Sequence, residues 1–245
     1  MTTPPTTAPT STGAPTARLA GWQPAGMLDW PGRLTTTVFL SGCEFRCPFC
    51  HNPSLLSPKT EPADWTALAS HLSDKRGWLD GVVVTGGEPT SDPDLFALLR
   101  ELGDTGTPVK LDTNGSNPDI LARVIDEELV SFVALDVKTL PERYEALTSR
   151  PDTGAAVLGS IELIIASGVA HEFRTTAYPG AVTLDDFTEI ARLIEGGNRY
   201  AIQQFNPSTT LDPRASGVLP YRPGALHAAA AACDAFLPTV VRGAS

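Results

Sequence analysis

Short β-branched runs alternate with stretches of helical apolar spacing along most of this sequence, and that repeat limits the folds it can adopt. A strand that follows another strand through a helix rejoins the sheet as a parallel neighbour, with a right-handed crossover. The repeat therefore predicts an α/β fold on one parallel sheet. Six such units are too few to close an eight-stranded barrel, so we expect an open, partial (β/α)6 barrel, with a doubly wound sheet as the alternative.

The element boundaries follow from the same spacing. The predicted strands are residues 35–40, 81–85, 108–112, 131–136, 171–177 and 199–205. The predicted helices are residues 62–75, 93–102, 118–128, 155–166, 184–194 and 224–237, and a proline opens each of the first three. A chain of 245 residues is long enough to form one such barrel as a single domain.

The N-terminal segment differs from the rest of the chain. Residues 1–17 carry no charge and no bulky apolar side chain beyond Met1, so we predict a disordered Thr/Pro-rich tail, followed by a single domain over residues 18–245. The tail lacks the basic and apolar regions of a secretory signal, and no apolar run is long enough to span a bilayer. We therefore expect a cytoplasmic protein with reduced thiols and no membrane partner. A net charge of −10 argues against a nucleic-acid ligand.

Three cysteines stand in a Cys-x3-Cys-x2-Cys pattern directly after the first predicted strand: Cys43, Cys47 and Cys50. Soft thiolate ligands suit iron–sulfur clusters and zinc. A [4Fe-4S] cube held by only three cysteines leaves one iron free to bind a reactant. Cys233, in an alanine-rich helical pattern, is expected to be a small buried apolar residue rather than a ligand.

Other sites are compatible with the same residues. Cys47, Cys50 and His51 match the Cys-x-x-Cys-His pattern of haem attachment, and Cys-x-x-Cys alone matches a thioredoxin-like redox pair. Neither of these uses Cys43, and haem attachment implies export. The three cysteines and His51 also match a Cys3His zinc site, although structural zinc usually takes its ligands from two separated pairs.

Unusual polar motifs follow three further predicted strands. These are Thr-Gly-Gly-Glu-Pro at 85–89, Asp-Thr-Asn-Gly at 112–115 and Leu-Asp-Val-Lys at 135–138. Because reactive groups of parallel α/β folds collect where the strands end, we expect these motifs to lie beside the cysteine loop. Asp136 and Lys138 point to the same side of their strand. An inward lysine requires an anion, either a bound carboxylate or Asp136 itself.

The cysteine loop, with Phe49 before its last cysteine, resembles the cluster loop of radical S-adenosylmethionine (SAM) enzymes. The resemblance implies a partial TIM-type barrel and a [4Fe-4S] cluster on Cys43, Cys47 and Cys50. Its open iron chelates the amino and carboxylate groups of SAM, and an electron from the cluster splits the sulfonium to give a 5′-deoxyadenosyl radical. No side-chain acid or base is required. The SAM-binding residues that it implies are Phe49, Gly86, Gly87, Glu88, Asp112, Asp136, Lys138 and Arg174.

Individual roles follow from the same resemblance. Gly-Gly-Glu-Pro is similar to the motif whose backbone and glutamate hold the SAM amino group; the alternative is a tight turn with a solvated Glu88. Lys138 and Arg174 would face the SAM carboxylate, although a surface pair of Arg174 with Glu172 is also compatible. The resemblance further implies a monovalent cation beside Asp112, Thr113 and Asp136.

Two stretches narrow the branch. Residues 27–32 (Met-Leu-Asp-Trp-Pro-Gly) and 50–53 (Cys-His-Asn-Pro) resemble the glycyl radical enzyme activases, in particular those of anaerobic ribonucleotide reductase and pyruvate formate-lyase. The implied partners are a glycyl radical enzyme, anaerobic ribonucleotide reductase-like, and a flavodoxin- or ferredoxin-type electron donor. Gln203 and Gln204 depart from the branch, because some activases place a histidine here. A radical SAM enzyme for a small molecule and a non-catalytic metal-binding or redox adaptor are the alternatives.

Overall fold

The computed structural model describes residues 15–59 and 63–244. Its strands are β1 Leu19–Gly26, β2 Thr35–Leu40, β3 Gly81–Gly86, β4 Val109–Thr113, β5 Phe132–Asp136, β6 Ala170–Ala177, β7 Tyr200–Gln204 and β8 Thr239–Arg242. Its helices are α1 Trp65–Asp74, α2 Leu95–Asp104, α3 Pro118–Asp126, α4 Tyr144–Thr148, α5 Thr153–Ser167, α6 Asp186–Leu193 and α7 Pro223–Cys233. Each of the six predicted strands and six predicted helices is present within a few residues of its predicted bounds.

The strands form one sheet whose spatial order is the order of the sequence, from β1 to β8. Strands β2 to β8 are parallel, with Thr35 opposite Gly81 and Asp136 opposite Arg174 as examples of the register. β1 runs antiparallel to β2. Within the described residues β1 and β8 do not pair with each other, so the sheet is open, as predicted.

Two strands were not predicted. β1 contains Gly21, Pro24 and Gly26, which lower strand propensity, and it forms because it is an edge strand that needs only β2 as a partner. β8 is four residues long and pairs with β7 after the chain leaves α7. The prediction of six strands was therefore too low for the described part of the chain.

The N-terminal prediction falls largely on residues 1–14, which lie outside the described residues. Residues 15–17 of the same predicted tail are described, and they pack on the domain. Ala17 is buried, and the Thr16 hydroxyl donates to the carboxylate of Asp94.

Apolar side chains lie between the sheet and its helices. α2 buries Leu95, Leu98, Leu99 and Leu102, a helical spacing that produces one apolar face. Pro118 opens α3 as predicted, whereas α1 begins at Trp65, where the Asp64 carboxylate accepts from the amide of Thr66 at 2.8 Å. No helix in the described ranges is both long and apolar enough to cross a bilayer.

The loop of residues 27–34, here called the floor loop, closes the end of the barrel where the parallel strands begin. Trp30 is buried beneath Gly81, and a Cβ on that glycine would lie 2.7 Å from the indole. The ring centroid of Trp30 is 5.5 Å from that of Phe132. Asp29 accepts from the Thr37 hydroxyl at 2.6 Å, and its carbonyl accepts from Lys110 Nζ at 2.5 Å. These contacts close the lower end of the barrel, so a ligand has to enter from the other end or the side.

Candidate active site

A cavity of about 220 Å³ lies at the carboxyl ends of the parallel strands. Its walls contain the predicted cluster ligands Cys43, Cys47 and Cys50 and the predicted SAM-binding residues Phe49, Gly86, Gly87, Glu88, Asp112, Asp136, Lys138 and Arg174. Thr85, Thr176 and Gln203 complete part of the wall. Residues from five strands and the cysteine loop therefore meet around one space, and the roles predicted for them can be compared with their contacts.

The cysteine loop is held at its base by backbone hydrogen bonds from Gly42 to Leu55, 2.7 Å, and from Cys43 to Leu56, 3.1 Å. Phe45 and Phe49 are buried and cover the loop with apolar surface. Burial, followed by the charge of Glu44, raises the pKa of Cys43 to about 12, and burial raises the pKa of Cys47. Without a metal the Cys43 and Cys47 thiols are therefore protonated, and metal binding has to displace their protons.

The donor arrangement fits a cluster better than a single ion. Nowhere in residues 15–59 and 63–244 do three or more His, Cys, Asp or Glu side chains converge as a mononuclear metal site requires. His51 instead places Nε2 3.1 Å from the carbonyl oxygen of Asn206. Three thiols along one cavity wall suit a cube that spreads its ligands over several irons. Cys233 is fully buried in α7 and is not part of this wall.

The two glycines of the Gly-Gly-Glu-Pro motif allow neighbouring backbone segments to approach each other closely. Gly86 has a φ of +125°, and a Cβ on it would lie 2.2 Å from the carbonyl oxygen of Leu40. A Cβ on Gly87 would lie 2.2 Å from the carbonyl oxygen of Gly42. The amides of Gly87 and Glu88 donate to Leu40 and Gly42 at 2.8 and 2.7 Å. The motif therefore joins β3 to the cysteine loop, a contact that was not predicted from the sequence.

Glu88 is buried and is not the solvated turn residue of the alternative prediction. Its Oε1 accepts from the Thr90 hydroxyl at 2.5 Å and the Thr113 hydroxyl at 2.7 Å, and its Oε2 accepts from the Asn114 amide at 2.7 Å. Burial, followed by the nearby Glu44 carboxylate, raises the pKa of Glu88 to about 7. Glu88 thus connects the ends of β3 and β4 while its carboxylate forms part of the cavity wall.

Five charged side chains form a continuous series inside the barrel, here called the ion ladder: Lys110, Asp112, Arg174, Asp136 and Lys138. Lys110 Nζ lies 2.9 Å from Asp112 Oδ1, and Asp112 Oδ2 lies 3.0 Å from Arg174 Nη1. Arg174 Nε donates to Asp136 Oδ1 at 2.7 Å, and Lys138 Nζ donates to Asp136 Oδ2 at 3.3 Å. The internal Asp136–Lys138 pair, which was the alternative to a bound carboxylate, is therefore present.

The alternative pair of Arg174 with Glu172 is wrong. Glu172 accepts instead from Arg242 at 2.7 Å and from Arg199 at 3.2 Å. Burial alone would raise the pKa of Asp136, but Arg174 and Lys138 lower it to about 2. Burial would likewise lower the pKa of Lys138, and the Asp136 carboxylate beside it raises it. All three groups are charged at neutral pH.

Several residues around the site were not found from the sequence. Tyr178 lies between Phe49 and Phe205, with ring centroids 5.0 and 4.9 Å away; it is tilted against the first ring and meets the second edge-on. The buried Tyr144 hydroxyl accepts from the amide of Lys138 at 2.8 Å. These aromatic residues lie at or after strand ends, but nothing in their local spacing distinguishes them from core residues. Lys110 did give a signal, because it lies two residues before Asp112 and so on the same face.

Comparisons with known proteins agree with this architecture. The profile of the Radical SAM superfamily matches residues 37–194. A candidate glycyl-radical enzyme activating enzyme of Methanocaldococcus jannaschii is 30% identical over 201 residues, covering 80% of this chain and 83% of that protein. The pyruvate formate-lyase-activating enzyme of Streptococcus mutans is 26% identical over 215 residues, covering 80% of each chain.

Solved structures share the fold at low identity. SuiB of Streptococcus suis, bound to its precursor peptide SuiA, superposes with a TM-score of 0.64 at 17% identity, over 84% of this chain and 48% of SuiB. The chain thus spans about half the length of SuiB. QueE from Escherichia coli superposes with a TM-score of 0.51 at 16% identity, over 90% of this chain and 89% of QueE.

Proposed function

This chain belongs to the radical SAM superfamily, and from that premise we propose that it activates a glycyl radical enzyme by removing a hydrogen atom from the Cα of a glycine in that partner. The observation that carries the proposal is similarity along most of both chains to a candidate activating enzyme, at 30% identity and more than three quarters coverage on each side. The pyruvate formate-lyase-activating enzyme of similar length supports the same class. The thiols, carboxylates and basic groups that line one cavity support the proposal.

The chain's own part is to bind, orient and exclude water. Cys43, Cys47 and Cys50 would hold a [4Fe-4S] cluster, which when bound supplies the electron for reductive cleavage of SAM. Lys138 and Arg174 present positive charge to the SAM carboxylate, and each is oriented by Asp136. Glu88 offers a carboxylate to the SAM amino group. Phe45 and Phe49 keep water from the thiols.

The finer assignments belong to the same proposal. The partner is an anaerobic ribonucleotide reductase-like protein, the reductant is a flavodoxin- or ferredoxin-type protein, and the reaction takes place in the cytoplasm. A monovalent cation beside Asp112, Thr113 and Asp136 requires Arg174 or Lys138 to move, since every oxygen of both carboxylates lies within 3.3 Å of a basic group.

The decisive experiment uses the anaerobically reconstituted protein with SAM, a reductant and a candidate glycyl radical enzyme. We expect about four irons per chain, slow SAM cleavage without the partner, faster cleavage with it, and a doublet electron paramagnetic resonance signal on the partner. Cys47→Ala should abolish the cleavage and the signal. Cys233→Ala is the matched control, because this buried thiol lies outside the cavity wall.

Two results would refute parts of the proposal. Stoichiometric zinc with no iron uptake would contradict the cluster. If no glycyl radical enzyme of the source organism acquires a radical while a small metabolite stimulates 5′-deoxyadenosine formation, the chain acts on a small molecule instead.

A further inference from the structure

We propose that Lys110, which does not line the cavity, is the positioning residue that gives the SAM carboxylate site its net positive charge. This inference rests on the proposed SAM chemistry. Lys110 is fully buried, at 0% exposure, and its Nζ lies between the carbonyl oxygen of Asp29 and the carboxylate of Asp112. A lysine without solvent exposure requires partners that offset its desolvation, and these two groups are the partners of Lys110.

Lys110 also sets the net charge of the ion ladder. The ladder has three positive groups and two carboxylates, a net charge of +1. Lys110 lies at its lower end, against the floor loop, whereas Arg174 and Lys138 lie at the cavity. Without Lys110 the two carboxylates would balance the two remaining cations. Its buried charge therefore leaves the cavity end of the ladder one positive charge in excess.

Lys110 acts through Asp112 and Arg174. Asp112 Oδ1 faces Lys110, and its Oδ2 faces Arg174 Nη1. Because Lys110 also pairs with the Asp112 carboxylate, this carboxylate neutralises less of the positive charge of Arg174. In the described chain Arg174 Nη2 makes no hydrogen bond, so this nitrogen is free to donate to a ligand. The ion ladder thus presents the Arg174 guanidinium, whose charge is only partly neutralised, to an incoming carboxylate.

The neighbouring carboxylate does not cancel this excess. Glu172 is the nearest further carboxylate on the same face of β6, and it has two cations of its own, Arg199 and Arg242. Neither arginine contacts the ladder carboxylates within the described residues. Lys110 is therefore the group whose removal changes the charge of the ladder without removing a group of the cavity wall.

The test compares two ligands that differ by one carboxylate. Equilibrium dissociation constants for SAM and for decarboxylated SAM are measured anaerobically on cluster-loaded, unreduced protein. Lys110→Met should weaken SAM binding about tenfold, the scale of one charge about 10 Å away at an effective dielectric constant near 20, without weakening decarboxylated SAM. Lys110→Arg should keep SAM affinity. Lys75→Met removes an exposed lysine and controls for overall charge.

A double variant tests the charge count itself. Lys110→Met with Asp112→Asn removes one charge of each sign and restores the net charge of +1, so it should bind SAM more tightly than Lys110→Met alone, although Asp112 also lines the cavity. Equal weakening of both ligands by Lys110→Met, or a double variant as weak as the single one, would overturn the inference. Wild-type protein that binds neither ligand would refute the SAM function instead, and unchanged SAM binding by Lys110→Met would refute only the role of Lys110.

Discussion

At the scale of single residues, Gly87 is a position where one added methyl group would disturb the cysteine loop. Gly87→Ala places a Cβ 2.2 Å from the carbonyl oxygen of Gly42, a backbone atom that cannot rotate away. We expect the cysteine loop to shift, the free energy of unfolding to fall by about 1–3 kcal/mol, and iron incorporation to decrease. Chemical denaturation and iron analysis after reconstitution measure both effects.

Gly103→Ala is the matched control. Gly103 lies in α2, and a Cβ there meets no atom within 4 Å. Because alanine is the better helix former, this variant should gain about 0.5–1 kcal/mol and keep its iron. Normal iron content in Gly87→Ala would show that the cysteine loop tolerates displacement from β3.

At the scale of elements, Glu172 holds the last strand of the sheet to its neighbours. It lies on β6, is 1% exposed, and accepts from Arg242 of β8 and from Arg199. Glu172→Gln leaves two guanidinium groups without their carboxylate, so we expect a loss of about 2 kcal/mol in the free energy of unfolding. The amides of β8 should lose protection from hydrogen exchange first, because the strand has only four residues.

The ion pair of Glu172 with Arg242 predicts that the stability of the protein depends on pH. Burial alone would raise the pKa of Glu172, but Arg242 lowers it below its usual range. A carboxyl with a lowered folded-state pKa contributes stability above its unfolded pKa and loses that contribution as pH falls through the folded value. The stability gap between wild type and Glu172→Gln should therefore be full near neutral pH and shrink below about pH 4. A gap that is constant across this range would contradict the pair.

The elements also show what the sequence can predict. Strands β2 to β7 were predictable because each is a short run that contains β-branched or aromatic residues and is followed by a segment of helical spacing. β1 was not predictable, because Gly21 and Pro24 are typical of loops and only the pairing of this segment with β2 makes it a strand. The position of the motifs at 85–89, 112–115 and 135–138 beside the cysteine loop was predictable from their places at strand ends, whereas Phe49 and Arg174 came from the family resemblance. The hydrogen-bond partners of the cavity residues were not predictable, because a contact such as that of Glu88 with Asn114 depends on the register of two neighbouring strands.

At the scale of the whole molecule, the cysteine loop connects the first parallel strand to the C-terminal part of the chain. The amide of Asp212 donates to the carbonyl of Pro48 at 3.0 Å, and His51 lies against Asn206. Because a cluster binds only the folded loop, loading it should raise the melting temperature. Hydrogen exchange should slow at Asp212 as well as in the cysteine loop.

The amide of Gly106 is the reference for this experiment. It donates to Gly103 in the turn after α2, and neither residue lines the cavity. Its exchange rate should be the same with and without iron. Equal slowing at Gly106 and Asp212 would indicate a general rise in stability rather than a connection between the two loops.

The order of the strands has a consequence for biosynthesis. Because the parallel strands join the sheet in the order of the sequence, the barrel can assemble as the chain leaves the ribosome. The cysteine loop emerges with β2, whereas Asn206 and Asp212 are added about 8–30 s later at ordinary elongation rates. During that interval the cysteine loop lacks its contacts with the C-terminal part of the chain, so we expect a cluster to be bound stably only after Asn206 and Asp212 have been added.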